Sequence, residues 1–157
     1  MKKMIALVFT MISMSATAHC PNEFNYSDKE LCYSYEWLSG PHLGGGHGRG
    51  HGHHHGHGMK KPMSSELTVA FWVKGDSNHA PVEIDGLRIY PWMIMDNGME
   101  HGSRPESLKF DANSGVYIVS NIFLMKMMGY WEMRLAIPSD FSDFDPKSDY
   151  VSSFIVE

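Results

Sequence analysis

From Leu67 onward, apolar and polar positions alternate along the chain with a period of two. Leu67, Val69, Phe71 and Val73 interleave with Thr68, Ala70 and Trp72, and Trp131, Met133, Leu135 and Ile137 interleave with Glu132, Arg134 and Ala136. Successive strand residues point to opposite faces, so this pattern predicts half-buried strands. Val82, Ile84, Leu87 and Ile89 keep the alternation with a phase slip at Asp85-Gly86. That slip reads as a single bulged strand over 82–91, because 82–84 is short for a strand closed by a two-residue hairpin. The aromatic-rich stretch 31–38 reads as a first strand. Leu108 and Phe110 read as a short strand ended by Asn113-Ser114-Gly115, the apolar run 116–125 as a long one, and 151–156 as a last edge strand after an acidic loop. Residues 19–29 are polar and irregular, and 40–63 lack any apolar period and read as a long, mobile Gly/His-rich loop. About seven short strands separated by turn residues, with no helical period, predict an all-β antiparallel sandwich.

The amino end carries a different signal. Lys2-Lys3, an apolar stretch over 4–14 and Ala16-Thr17-Ala18 have the order of an export signal cleaved after Ala18. At ~1.5 Å per residue the apolar stretch spans about half of a ~30 Å hydrocarbon layer, too little for a lasting anchor. The expectation is one domain over 19–157, soluble in the periplasm or secreted. Removing Lys2 and Lys3 leaves an acidic excess of about seven charges, which argues against nucleic acid as a partner. In an oxidising compartment the two cysteines, Cys20 and Cys32, read as one disulfide. Their spacing fits neither a C-x-x-C redox pair nor a zinc pattern.

Candidate chemistry is concentrated in two places. Seven of the ten histidines fall within 41–58, namely His42, His47, His51, His53, His54, His55 and His57, interleaved with glycines. Neutral imidazole is a common metal ligand, and such tracts read compositionally as metal binding. The glycines fix no geometry, so the tract reads as an accessory collector whose capture weakens below about pH 6 as imidazoles protonate. The second place is 92–103, where Met93, Met95, Met99 and His101 fall within nine residues, followed downstream by Met125, Met127 and Met128. Thioether sulfur is soft and favours Cu(I), while imidazole serves both copper states and zinc. Counting strand reversals places the two methionine groups at one end of the sandwich. With 82–91 as one bulged strand, it places the histidine tract there too. Met133, Trp92 and Trp131 read as core, because methionine is also a flexible core filler.

The pairs Trp92-Met93 and Met99-x-His101-Gly102, with Met127-Met128-Gly129-Tyr130-Trp131, resemble the YtkA-like/FixH-like family of exported domains, which carry W-M-P-x-M-G-H-G and F-x-M-x-G-x-W. Ile94 stands where that pattern has proline and Glu100 where it has glycine. Extra residues separate Met93 from Met99, and Phe123 lies two positions early. The resemblance spans roughly 30–137 and implies an immunoglobulin-like (CopC-like) sandwich with a copper role. In CopC-like carriers a terminal histidine chelates Cu(II) through its amine and imidazole. His19 would be that residue after cleavage, with His79 or His101 as the second imidazole of a brace.

The expected function is therefore a non-enzymatic copper-binding protein for storage, delivery or tolerance. Its partners would be metal ions and a copper-receiving or copper-exporting envelope protein. The alternatives are a zinc or nickel buffer using the tract alone, a structural domain without metal, and a copper enzyme built on His19. No Ser-His-Asp order, HExxH or phosphate-binding glycine loop is present.

Overall fold

The computed structural model describes residues 19–44, 63–103, 106–139 and 142–157. Among them the chain forms β1 (Asn22–Tyr26), β2 (Lys29–Ser39), β3 (Leu43–Gly44), β4 (Ser65–Val73), β5 (Arg88–Met95) and β6 (Glu100–Gly102). There follow β7 (Ser107–Asp111), β8 (Val116–Ile122), β9 (Leu124–Met125), β10 (Gly129–Ala136) and β11 (Ser152–Ile155). One antiparallel sheet runs β1-β2-β4-β8-β7 and a second runs β11-β10-β5-β6, while β3 and β9 form a separate parallel pair. No helix among the described residues is long and apolar enough to cross a membrane. The export signal at 1–18 lies outside the described residues.

The two sheets stack as a sandwich on one core, to which Leu31, Val69 and Phe71 contribute from the first sheet and Ile89, Met133 and Leu135 from the second. One flank is closed between sheets: the Tyr33 and Ser152 hydroxyls share a hydrogen bond of 2.9 Å, and Tyr35 stacks on Phe154 at 3.7 Å. The expected disulfide joins Cys20 to Cys32, with Cα atoms 5.2 Å apart. It ties the chain ahead of β1 to the middle of β2.

Several boundaries differ from the expectation, each for a physical reason. The irregular stretch 19–29 contains β1, paired with β2 through Ser27 and Asp28 at positive φ. Only Phe24 of that strand is buried, so no alternation marks it in the sequence. The bulged strand over 82–91 does not form. Ile84 instead exchanges both backbone hydrogen bonds with the Tyr117 hydroxyl, and the Val82 amide donates to the Phe71 carbonyl. With these groups satisfied off-ladder, 82–84 lies over the core without pairing as a strand. Asp85-Gly86 makes a turn with Gly86 at φ 71°, and the strand begins at Arg88. The run 116–125 is broken at Phe123 into β8 and β9. The sandwich therefore has nine strands in its two sheets rather than about seven.

Candidate metal centre

The second sheet sorts its residues cleanly by face. Along β5, Ile89, Met93 and Met95 face the core, while Tyr90, Trp92 and Ile94 face outward onto a smaller cluster with Phe144. Antiparallel partners share a face, and β6 pairs Trp92 with Gly102, Met93 with His101 and Ile94 with Glu100. The alternation of Met99-Glu100-His101 thus turns Met99 and His101 inward and Glu100 outward.

A three-residue connection, Asp96-Asn97-Gly98, joins the two strands. The Met95 amide donates to the Met99 carbonyl at 2.9 Å, and the Gly98 amide donates back to Met95. Gly98 takes φ 81°, the left-handed position such a loop requires. The Met99 amide also donates to the Asn97 side chain. Met95 and Met99 therefore face each other across the hairpin, one step beyond the Met93 and His101 pair. Directly opposed residues hold their Cβ atoms about 4.5–5.5 Å apart, so three thioethers and an imidazole occupy two adjacent rows.

On its other side β5 pairs with β10, setting Trp131 beside Met93 and Gly129 beside Met95. The His101 and Trp131 rings stand perpendicular, centroids 5.9 Å apart. The row that continues from Met99 and Met95 ends at Gly129, which brings no side chain. A Cβ there would lie 2.1 Å from the Ile94 carbonyl oxygen, with φ at +129°. Met95 is thus left half-buried. Met93, by contrast, has no exposure and belongs to the core, and Met99 is 56% exposed.

The imidazole is oriented by its own chain. His101 Nδ1 lies 2.8 Å from the Gly102 carbonyl oxygen. A carbonyl only accepts, so Nδ1 carries the proton and the lone pair of the neutral ring sits on Nε2. Behind the hairpin, Trp92 Nε1 donates to Glu100 at 2.9 Å. Buried Arg134 and the Lys147 ammonium approach the same carboxylate at 3.8 Å and 3.6 Å. The indole hydrogen bond, then the two cations, hold the Glu100 carboxyl below its ordinary value. Arg134 is itself fixed by Glu132, by the carbonyls of Pro146 and Lys147, and by the faces of Trp92 and Tyr150. None of this network carries a metal-ligand signature, and a sequence search for ligands passes over it. Its only trace in the sequence is the polar alternation Glu132-x-Arg134.

The downstream methionines reach the same end of the sandwich. Trp131 Nε1 donates to the Met125 carbonyl at 2.9 Å, and the Asp96 amide to the Met128 carbonyl at 3.3 Å. Met127 and Met128 are 39% and 76% exposed and form the rim of this end. The stems of the histidine tract lie here as well. Gly44 pairs with Met125, the Lys126 amide donates to the Gly44 carbonyl, and Ser65 pairs with Ile122. The position expected from the bulged strand is thus reached without the bulge. His47, His51, His53, His54, His55 and His57 lie outside the described residues. His42 is described and shares a hydrogen bond with Ser39.

The two remaining histidines lie elsewhere. His19 is exposed beside the disulfide, and His79 stacks on Trp72 with centroids 4.4 Å apart, in a loop fixed by the Asp76 carboxylate. Among the described residues no three His, Cys, Asp or Glu side chains gather as a metal site. What the methionine end offers is one nitrogen and thioether sulfur, a donor set suited to soft monovalent ions. No family model matches the chain, and no curated protein or solved structure is similar to it.

Proposed function

We propose that the protein is a non-enzymatic carrier or store for Cu(I) in an oxidising, extracytoplasmic compartment. Met95, Met99 and His101 hold the ion, and Met127 and Met128 guide it in. The observation that carries this reading is the strand pairing that turns two thioethers and an imidazole with a free Nε2 to one face at the open end of the sandwich. Met93 lies beneath this set as its floor. The disulfide fits the compartment. The resemblance to YtkA-like domains rests on the matched Trp, Met, His and Gly positions and agrees with this reading. The histidine tract, with its stems at the same end, serves as an accessory collector of Cu(II) and other divalent ions, and His19 as a weaker terminal ligand.

The test is anaerobic titration with Cu(I), or with Ag(I) as its redox-inert analogue, of protein lacking residues 45–62. A tight site with one ion per chain that survives the deletion supports the proposal, and loss of all binding ends it. A zinc or nickel buffer is the second reading. It draws on the density of imidazoles at 42–57, which serve zinc and nickel without any thioether. On that reading all zinc or nickel binding disappears with the tract, and copper has no advantage on what is left.

A further inference from the structure

The methionines differ sharply in access. Met128 is 76%, Met63 63%, Met99 56%, Met125 55% and Met127 39% exposed, whereas Met93 and Met133 are fully buried. Both cysteines are consumed in the disulfide, so the domain keeps no free thiol and its oxidisable sulfur is thioether. Met99 combines exposure with a place in the donor set. Its backbone is held from both sides, by the Met95 amide on its carbonyl and by the Asn97 side chain on its amide.

We propose that Met99 is a sulfoxidation site through which a two-electron oxidant of the hypochlorous acid class turns soft-metal binding off. The inference rests on the Cu(I) reading above. In the net step the sulfur lone pair forms an S–O bond, the O–Cl bond breaks, and chloride and a proton leave. Sulfur loses two electrons and chlorine gains them. The product presents a hard oxygen in place of the soft lone pair, and a methionine sulfoxide reductase reverses it. Because the Met99 side chain is outside the core and its backbone is independently bonded, the change stays local. The same oxidation at Met93 or Met133 would put a polar group into the core. Met128, more exposed and not a ligand, reacts first and shields the site from low doses. A bound ion draws one of the two Met99 lone pairs and lowers the nucleophilicity of the sulfur, so loading protects Met99 from the oxidant.

The test uses the mature chain, limiting hypochlorous acid, and Ag(I) as the probe, with sulfoxides mapped by peptide mass spectrometry. Met128 and Met63, the most exposed, are expected to react first, then Met99 and Met125, with Met93 and Met133 unmodified. Oxidation at Met99 lowers Ag(I) affinity at the non-tract site at least tenfold, and reductase treatment restores it. Preloading with Ag(I) protects Met99 but not Met128. Met99→Leu binds weakly before and after oxidant. Unchanged Ag(I) affinity with Met99 fully oxidised overturns the switch and leaves the metal site standing. Modification of Met93 or Met133 in step with Met99 also overturns it, as general damage. Absence of any non-tract Ag(I) site in unoxidised protein removes the metal reading itself, and the switch with it.

Discussion

The imidazole of His101 stands perpendicular to the Trp131 ring at 88°, centroids 5.9 Å apart, although the two residues belong to strands that do not pair with each other. Met93 lies between them in the ladder, paired with both. An ion bound at His101 would therefore sit within range of an indole that is otherwise sealed in the core. Cu(I) or Ag(I) binding is expected to change Trp131 emission. The change should vanish in Trp131→Phe, while Trp37, Trp72 and Trp92 report nothing. Titration followed by fluorescence in the two proteins checks it.

Floor and ligand should separate by mutation. Met93→Ala empties a fully buried site and should cost about 2–5 kcal/mol of folding stability. Met99→Ala removes an exposed side chain and should stay within about 0.5 kcal/mol, yet lower Cu(I) or Ag(I) affinity tenfold or more. Urea denaturation paired with metal titration distinguishes the two roles.

Glu100 gives the hairpin a dependence on pH. Its carboxyl is held below the ordinary value first by the Trp92 indole and then by Lys147 and Arg134. A depressed folded-state pKa means the contribution is complete above the unfolded value and is lost as pH falls through the folded one. Below the ordinary carboxylate range the grip on β6 should loosen. Hydrogen exchange of the His101 amide, corrected for intrinsic pH dependence, should then accelerate. Glu100→Gln should show the loosened behaviour already at neutral pH. Equal protection of wild type and variant at every pH would separate this network from hairpin order.

The disulfide closes a short loop, Cys20 and Cys32 being 12 apart in sequence. The chain-entropy estimate for such a loop is about 3 kcal/mol, and paired Cys20→Ala and Cys32→Ala substitutions should lower stability by that order. The proposed metal site lies on the other sheet, so the double variant should bind Ag(I) as tightly as the parent under conditions where it is folded.

The period-two pattern was enough to identify β4 and β10, because their core-facing apolar residues alternate in sequence even though Trp72, Arg134 and Ala136 on the opposite face are buried as well. It failed where backbone groups were satisfied off-ladder. Ile84 bonds to the Tyr117 hydroxyl, a partner 33 residues away that no local window contains. It failed again at β1, where a single buried side chain leaves no period to read. For the candidate centre, the residue types at 93–101 were legible, since methionine and histidine are conspicuous at that density. Which of them are accessible was not. Met93 and Met95 look alike in sequence, and only the missing side chain of Gly129 and the neighbouring Trp131 leave one half-open and bury the other. The Glu100, Trp92 and Arg134 network was invisible because it joins three strands.

The stems flanking 45–62 are themselves clasped together. The His42 amide donates to the Ser65 hydroxyl at 2.8 Å, while Gly44 and Ser65 each lie on the β8–β9 stretch, against Met125 and Ile122. The described residues on either side of 45–62 are thus fixed by the fold as the two posts of one gate. Each doubling of the length inserted between such posts costs only about 0.6 kcal/mol of closure entropy. The length and composition of that insert are therefore free to drift, a module that can be lengthened, traded or lost while the sandwich stays the same.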